Sequence, residues 1–128
     1  MVLDTSAIVA IHLKEPGYEQ LIEKIDQAGV VAVGAPTLLE SAMVLSSRMQ
    51  THARVVLLGT LRRMHAEIAP FGEDHFDVAL EAFLRFGRGH HPAGLNFGDC
   101  MAYAVAVEAG LPLLFTGGEF AKTDVGAA

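Results

Sequence analysis

Short apolar and β-branched runs alternate with helical patterns along the whole chain. The first run, Val2-Leu3, ends at Asp4, and Thr5 and Ser6 then open an apolar helical pattern that stops near residues 16–17. Further strands are predicted over residues 30–33, 67–71 and 111–115, and further helices over residues 18–28, 37–49, 53–65, 73–86 and 99–109. Strands separated by helices predict a mainly parallel central sheet with helices on both faces, which is a three-layer αβα sandwich.

The length of 128 residues suits one domain, so residues 1–128 are expected to fold as a single unit. Hydrophobic residues make up 52% of the chain and charged residues 19%, which excludes intrinsic disorder, and no apolar run reaches the ~20 residues of a membrane helix. No basic stretch precedes the first apolar residues, as a secretory signal would require, so the expected compartment is the cytoplasm. Cys100 is the single cysteine, so any metal must be bound mainly through oxygen or histidine.

The net charge of −6 argues against the broad basic surface of a non-specific nucleic-acid-binding protein. Acids that bind metal ions would be neutralised, however, and arginines are concentrated in the middle of the chain, where they predict a local basic face. These arginines are Arg48, Arg54, Arg62, Arg63, Arg85 and Arg88.

Two aspartates lie at the starts of predicted helices. Asp4 directly follows the first strand, at the edge where parallel sheets bind ligands, although an Asp before Thr5 and Ser6 is also a good helix cap. Asp99 comes three residues after Asn96, which can cap the last helix, and capping alone would explain it. That helix is apolar almost throughout and is expected in the core, where an unpaired carboxylate is costly. A cation beside Asp99 would remove this cost.

Glu40 lies inside the helix predicted over residues 37–49. Met43 and Val44, three and four residues later, are expected to face the core, so Glu40 would share an apolar face and have no basic partner there. The alternative is a slightly rotated helix, with Glu40 at the edge of the apolar stripe.

Asp4, Glu40 and Asp99 together form an all-oxygen donor set, which suits a hard cation such as Mg²⁺ or Mn²⁺ rather than zinc. Mg²⁺ takes one or two carboxylates directly and leaves room for a phosphate oxygen beside an activated water, as in a phosphodiester-cleaving site. Neighbouring polar residues can support such a site, although helix capping already accounts for them. These supporting residues are Thr5, Ser6 and Asn96.

Three other residues are weaker candidates. His90 and His91 lie in a loop that contains glycine and proline, where a histidine is more often solvated than catalytic. Cys100 lies in the apolar helix and is expected to pack rather than to react. The glycines form neither a Walker-type loop nor a dinucleotide-binding fingerprint.

Three segments resemble a known family. Residues 2–7 (Val-Leu-Asp-Thr-Ser-Ala), Glu40 in the third helix, and residues 95–104 (Leu-Asn-Phe-Gly-Asp-Cys-Met-Ala-Tyr-Ala) resemble the PIN-domain ribonucleases, in particular the VapC toxins of prokaryotic toxin–antitoxin pairs. The resemblance spans the whole chain and continues through residues 113–120 and 123–125. The Asn-Phe-Gly-Asp segment is its most specific part.

The resemblance implies that the three acids bind the metal together with a fourth acid from the last loop, and that the chain is a Mg²⁺-dependent endoribonuclease. Family members often have an aspartate where this chain has Gly118. Glu119 is therefore the best substitute for the fourth acid and Asp124 a weaker one, and the number of bound metals, one or two, stays open. The resemblance also implies an RNA substrate, with structured tRNA loops as candidates. The implied partner is a small VapB-type antitoxin, in a homodimer or a toxin–antitoxin hetero-oligomer.

Two other functions fit part of the sequence. An aspartyl-phosphate phosphatase also has an Asp after the first strand and uses Mg²⁺, but its usual Asp-x-Asp is here Asp4-Thr5-Ser6. A catalytically weak or inactive binding module of the same fold would fit the altered position at Gly118. A trapped phosphoenzyme would favour the first function, and metal binding without turnover the second.

Overall fold

The structure, a computed structural model, describes residues 1–128, in which four short strands alternate with six helices. The strands are β1 (Val2–Leu3), β2 (Ala32–Gly34), β3 (Glu67–Ala69) and β4 (Leu113–Leu114). The helices are α1 (Thr5–Leu13), α2 (Tyr18–Asp26), α3 (Ala35–Met49), α4 (Arg54–Arg63), α5 (Glu73–Phe86) and α6 (Phe97–Ala109), followed by a 3₁₀ turn at Phe120–Lys122. All strand pairs are parallel, in the order β3-β2-β1-β4. None of the helices is long and apolar enough to cross a membrane.

Both faces of the sheet are covered by helices. Successive strand residues point to opposite faces, so each of three strands contributes one buried residue to a core with α1 to α4 and another to a core with α5 and α6. The first set is Leu3, Val33 and Leu114, and the second is Val2, Ala32 and Leu113. The predicted three-layer αβα sandwich with a parallel sheet is therefore confirmed.

Local sequence sets the start and end of α6. The Oδ1 atom of Asn96 accepts a 2.9 Å hydrogen bond from the backbone N–H of Asp99, as the predicted cap requires. Gly110 ends the helix in the left-handed region (φ 62°), which glycine adopts without a steric penalty. The helix begins at Phe97, two residues before its predicted start, because the first helical residue directly follows the cap.

The strands are shorter than predicted and β2 is shifted. β2 covers only Ala32–Gly34, one residue beyond the run predicted over 30–33, and β4 covers only Leu113–Leu114 of the run predicted over 111–115. The missing residues lie just outside the strands, although the carbonyl oxygens of Val31 and Pro112 still accept backbone hydrogen bonds from Glu67 and Val2 of the neighbouring strands. Hydrophobic runs therefore indicate where strands lie more accurately than where they end.

The expected orientation of α3 was wrong. Met43, predicted to face the core, is 63% exposed, and Val44 is only half-buried. The buried residues of this helix are Thr37, Ser41 and Leu45. Their spacing of four places one stripe of mostly small residues against the neighbouring elements, so the helix is rotated away from the expected orientation. Glu40 is half-buried beside this stripe, as in the alternative orientation.

Candidate active site

The strand order of the sheet reverses beside β1. The chain builds the sheet outward from β1 through β2 to β3 and then returns to place β4 on the other side of β1. In open parallel sheets, ligands bind beyond the carboxyl ends of the strands at such a reversal. Asp4 directly follows β1 at this point, and the loop 115–119 follows β4. A ligand site is therefore expected beside Asp4 and this loop.

The Asp4 carboxylate is buried and is held by Ser6. Asp4 is 4% exposed, and its Oδ2 accepts hydrogen bonds from the Ser6 backbone N–H (2.9 Å) and hydroxyl (2.6 Å). The Ser6 hydroxyl oxygen accepts a 3.0 Å bond from the backbone N–H of Thr116, so Ser6 joins the two loops at the reversal. Burial raises the pKa of Asp4, the bonds from Ser6 oppose this rise, and the charge of Glu40 adds to it.

Glu40 reaches the same region from α3. Its Oε2 accepts a 2.8 Å hydrogen bond from the Thr5 hydroxyl. Its carboxylate also lies against Gly98, because a methyl group placed on Gly98 would come within 2.6 Å of Glu40 Oε1 and 2.7 Å of its Cδ. Only glycine leaves room for the carboxylate in this position. Thr5 and Gly98 thus hold Glu40 beside the starts of α1 and α6.

Asp99 forms a reciprocal cap with Asn96. The Oδ2 atom of Asp99 accepts a 2.9 Å hydrogen bond from the Asn96 backbone N–H, while the Asp99 N–H donates to the Asn96 side chain. Burial raises the pKa of Asp99 to about 6, and the negative charges of Asp4, Glu40 and Glu119 add to this rise. The hydrogen bond from the Asn96 backbone lowers the pKa and so opposes it. The predicted acids from three elements therefore lie within electrostatic range of one another. We call Asp4, Glu40 and Asp99 the acidic cluster.

The two candidates for a fourth acid lie in different places. Glu119 is exposed, its Oε2 accepts a 3.0 Å bond from the preceding backbone N–H, and its charge contributes to the raised pKa of Asp99. Asp124 instead accepts hydrogen bonds from the Tyr103 hydroxyl (2.6 Å) and from Arg85 (2.7 Å). These two bonds, Tyr103 first, lower the pKa of Asp124. The structure therefore brings Glu119 to the margin of the acidic cluster and places Asp124 in a separate network.

The acidic cluster has no cationic partner within the protein. The two salt bridges of the chain, Arg48–Glu15 and Arg85–Asp124, include none of its members. As the side chains lie, no three His, Cys, Asp or Glu residues are close enough to hold one metal ion, so direct ligation by all three acids would require side-chain rotation. The hydrogen bonds from Ser6, Thr5 and Asn96 each engage one carboxylate oxygen and leave the other available. This all-oxygen, unneutralised donor set fits a divalent cation such as Mg²⁺ or Mn²⁺.

The other candidates from the sequence lie in packing contacts. Cys100 is buried in α6, and burial raises the pKa of its thiol to about 11, in agreement with a packing role. The ring of His90 packs edge-on against Phe83, and that of His91 against Phe86. These contacts give both histidines a structural explanation.

Two contributors to the site were not predicted from the sequence. Gly98 provides the space for the Glu40 carboxylate, and Thr116 donates its backbone N–H to Ser6. A glycine in the first turn of a helix is a usable signal, because glycine weakens a helix and so indicates a close approach by another group. The contribution of Thr116 comes from the backbone and leaves no signal in the sequence.

Acids that converge at the strand-order reversal of a parallel αβα sheet are typical of metal-dependent enzymes that act on phosphate esters. The PIN-domain profile matches residues 1–126, and the chain belongs to the PIN-domain family. A ribonuclease VapC from Mycolicibacterium smegmatis is 41% identical over 127 residues, which cover 99% of this chain and 98% of that protein. The family predicted from the sequence is therefore confirmed.

Solved structures share the fold over nearly the whole chain. VapC20 of Mycobacterium tuberculosis, a sarcin-ricin loop cleaving toxin, has a TM-score of 0.78 at 17% identity and covers 99% of this chain and 97% of its own. A toxin–antitoxin complex from Klebsiella pneumoniae has a TM-score of 0.70 at 16% identity and covers 96% of this chain and 92% of its own. At these identities the likeness establishes the fold.

Proposed function

We propose that this chain is a VapC-type endoribonuclease that hydrolyses phosphodiester bonds of RNA at the acidic cluster. The observation that carries the proposal is the convergence of Asp4, Glu40 and Asp99 from separate elements without a cationic partner in the protein. The relative named ribonuclease VapC, at 41% identity over nearly the whole chain, supports the same activity.

The proposed cofactor is Mg²⁺, with Mn²⁺ as a substitute. Asp4 and Asp99 would hold the ion directly, and Glu40 would bind it or orient its water, with Glu119 supporting from the last loop. When bound, the cation neutralises the carboxylates, lowers the pKa of bound water and stabilises the charge that develops on the phosphate. Without it, the negative charges of the acidic cluster repel the phosphates of RNA.

The residues around the acidic cluster orient its carboxylates before the substrate arrives. Ser6, Thr5 and Asn96 each fix one carboxylate oxygen, which sets the direction of the free oxygen. The pKa of Asp99, about 6, lies below neutral pH, so this carboxylate is ionised and able to bind a cation under neutral conditions. None of these roles requires the ribose 2′-hydroxyl, so selection of RNA must depend on shape and on unpaired bases, as in tRNA loops.

By family likeness, we propose that the chain acts in the cytoplasm as the toxin of a toxin–antitoxin pair. The structural neighbour from Klebsiella pneumoniae is a toxin–antitoxin complex, which supports an antitoxin as the partner. The proposed partner is a small VapB-type antitoxin, with a homodimer or a toxin–antitoxin hetero-oligomer as the assembly.

Cleavage of total tRNA and of a single-stranded RNA by the purified chain tests the proposal. Cleavage is expected with Mg²⁺, and it should be lost with EDTA and in Asp99→Asn. Glu108→Gln is a matched control, because it removes an exposed carboxylate at the other end of α6 and should keep full activity. Metal binding by a folded chain that cleaves no RNA would overturn the enzymatic function and indicate a binding module.

A further inference from the structure

Arg88 differs from the other arginines of the chain in its partners and its place. Arg48 and Arg85 are each paired with an acid in a salt bridge. Three more arginines belong to α4, which leads into the amino end of β3, whereas the acidic cluster lies at the carboxyl ends of the strands. Arg88 lies in the loop between α5 and α6, where it is exposed and has no acidic partner.

The backbone of Arg88 is fixed beside the start of α6. Its N–H donates a 3.0 Å hydrogen bond to the carbonyl oxygen of Leu95, and the Leu95 N–H donates a 3.0 Å bond to the carbonyl oxygen of Phe86. Leu95 directly precedes Asn96, whose backbone N–H binds the Asp99 carboxylate. These bonds place Arg88 next to the cap that holds one member of the acidic cluster.

Lys122 approaches the same loop from the last turn of the chain. It lies three residues after Glu119, and its backbone N–H donates a 3.2 Å hydrogen bond to the Glu119 carbonyl oxygen. Its Nζ donates a 3.4 Å bond to the carbonyl oxygen of Pro92, in the loop that carries Arg88. An ammonium group has three N–H donors, so two remain for a ligand. Two cations from separate segments therefore border the acidic cluster.

We propose that Arg88 and Lys122 form a phosphate-binding pair, which holds an RNA phosphate next to the scissile one. This inference rests on the proposed ribonuclease function. A planar guanidinium binds two phosphate oxygens at once, and an ammonium adds a point charge. No acid lies between Glu81 and Asp99, so the loop that carries Arg88 does not itself repel a phosphate. Because the net charge of −6 opposes RNA binding, positive charge near the site carries a large share of the affinity.

Binding of a short fluorescent single-stranded RNA at several salt concentrations tests the pair. In an Asp99→Asn background, which prevents cleavage, Arg88→Gln should raise the Kd about ten-fold. It should also lower the slope of log Kd against log salt concentration by about 0.7, the value for one phosphate contact with a single strand. Lys122→Gln should act in the same direction. Both effects should be equal for RNAs of different sequence, because every RNA has the same phosphates.

Arg62→Gln is the matched control. It removes the same charge from an exposed arginine at the end of α4, next to the amino end of β3. Its Kd should change by no more than about two-fold, and its salt slope should stay that of the background protein. Arg88→Lys keeps the charge but not the planar fork, so it should keep the salt slope and recover only part of the affinity.

Steady-state cleavage by the otherwise wild-type chain provides a second measurement. Arg88→Gln should raise the KM for RNA and leave kcat unchanged, because a phosphate beside the scissile one is held equally in the ground state and the transition state. A loss confined to kcat would contradict this role and place Arg88 at the reacting phosphate.

Two results would overturn the inference. The first is an RNA that the wild-type chain cleaves but that Arg88→Gln and Arg62→Gln bind with the same Kd and salt slope, which rejects the phosphate-binding pair and leaves the ribonuclease function intact. The second is a change in the oligomeric state of Arg88→Gln by sedimentation without a change in RNA binding, which assigns the guanidinium to a protein contact. Failure of the ribonuclease function itself would appear as no cleavage by the wild-type chain, where Arg88 and Lys122 are present.

Discussion

Thr5 donates a 2.8 Å hydrogen bond from Oγ1 to Oε2 of Glu40 and so joins the first turn of α1 to α3. Thr5 directly follows Asp4, so two consecutive residues supply one carboxylate of the acidic cluster and orient another. A hydrogen bond to a charged group contributes about 1.5–3 kcal/mol. Thr5 is therefore a positioning residue for Glu40.

Replacing Thr5 with valine keeps the shape of the side chain and removes the hydroxyl donor. We expect Thr5→Val to lower kcat and the apparent Mg²⁺ affinity by about ten-fold, because Glu40 loses its orientation. Thr5→Ser keeps the donor and should retain activity close to wild type. Steady-state cleavage of a single-stranded RNA over a Mg²⁺ titration measures both variants. A loss of activity in Thr5→Ser but not in Thr5→Val would show that the methyl group matters rather than the hydroxyl.

Adding one methyl group at Gly98 should separate stability from activity. Gly98→Ala favours the helix by up to about 1 kcal/mol but displaces the Glu40 carboxylate, which lies where the methyl group must go. We expect unchanged or slightly higher thermal stability and at least a ten-fold loss of kcat/KM, of the size seen when groups that support a metal site are lost. Thermal unfolding and cleavage assays on the same preparation measure the two effects.

Gly59→Ala is the control for the helix effect. Gly59 lies within α4, and a methyl group there would meet only the flexible Arg63 side chain, at 3.7 Å. The variant should gain about 0.5–1 kcal/mol in stability with wild-type cleavage. If Gly98→Ala also cleaved at the wild-type rate, its close contact with Glu40 would have no functional meaning.

The positions of Asp4 and Asp99 could be predicted because short-range sequence determines them. Each begins a helix, and the hydrogen bonds that fix each carboxylate come from residues no more than three positions away. Glu40 was selected for a reason that the structure contradicts, since Met43 does not face the core. The rotation of α3 depends on how its small buried residues pack against other elements, and hydrophobic periodicity alone does not contain this information.

The last loop was harder to predict for a related reason. Glu119 and Asp124 are close in sequence, and no helical or strand periodicity distinguishes their directions. What separates them is the pair of partners of Asp124, since Arg85 and Tyr103 lie 39 and 21 residues away in the chain. The alternation of strands and helices, by contrast, was enough to predict the fold class.

Asp99 should destabilise the metal-free protein above pH 6. Its pKa is raised from the ordinary 3.8 to about 6, so the folded state binds this proton more tightly than the unfolded state. Stability therefore falls as pH rises from about 4 to about 6 and stays lower above that range. We expect Asp99→Asn to be more stable than wild type at pH 7 by about 1 kcal/mol. This free energy is smaller than the full pKa shift implies, because Asp99 is only partly buried and solvent screens its charge.

Urea unfolding in EDTA across this pH range measures the effect of Asp99→Asn. The difference in the free energy of unfolding between the variant and wild type should disappear below about pH 4. There Asp99 is protonated in both the folded and the unfolded wild-type protein. Glu108→Gln should show no such pattern. If Asp99→Asn were the less stable protein at pH 7, the carboxylate would be stabilised by the helix start more than it is destabilised by burial and its acidic neighbours.

Glu119→Gln and Asp124→Asn should affect different properties. Glu119 contributes charge at the acidic cluster, so Glu119→Gln should weaken the apparent Mg²⁺ affinity by about ten-fold without affecting stability. Asp124 holds Tyr103 and Arg85, so Asp124→Asn should lower stability by about 1 kcal/mol near neutral pH and leave Mg²⁺ dependence unchanged. Its stability deficit should disappear on acidification, because the depressed pKa of Asp124 makes its contribution present only while the carboxylate is ionised. A Mg²⁺ titration of cleavage measures the metal affinity of both variants, and urea unfolding measures their stability. If Mg²⁺ binding were weaker only in Asp124→Asn, Asp124 rather than Glu119 would be the fourth acid.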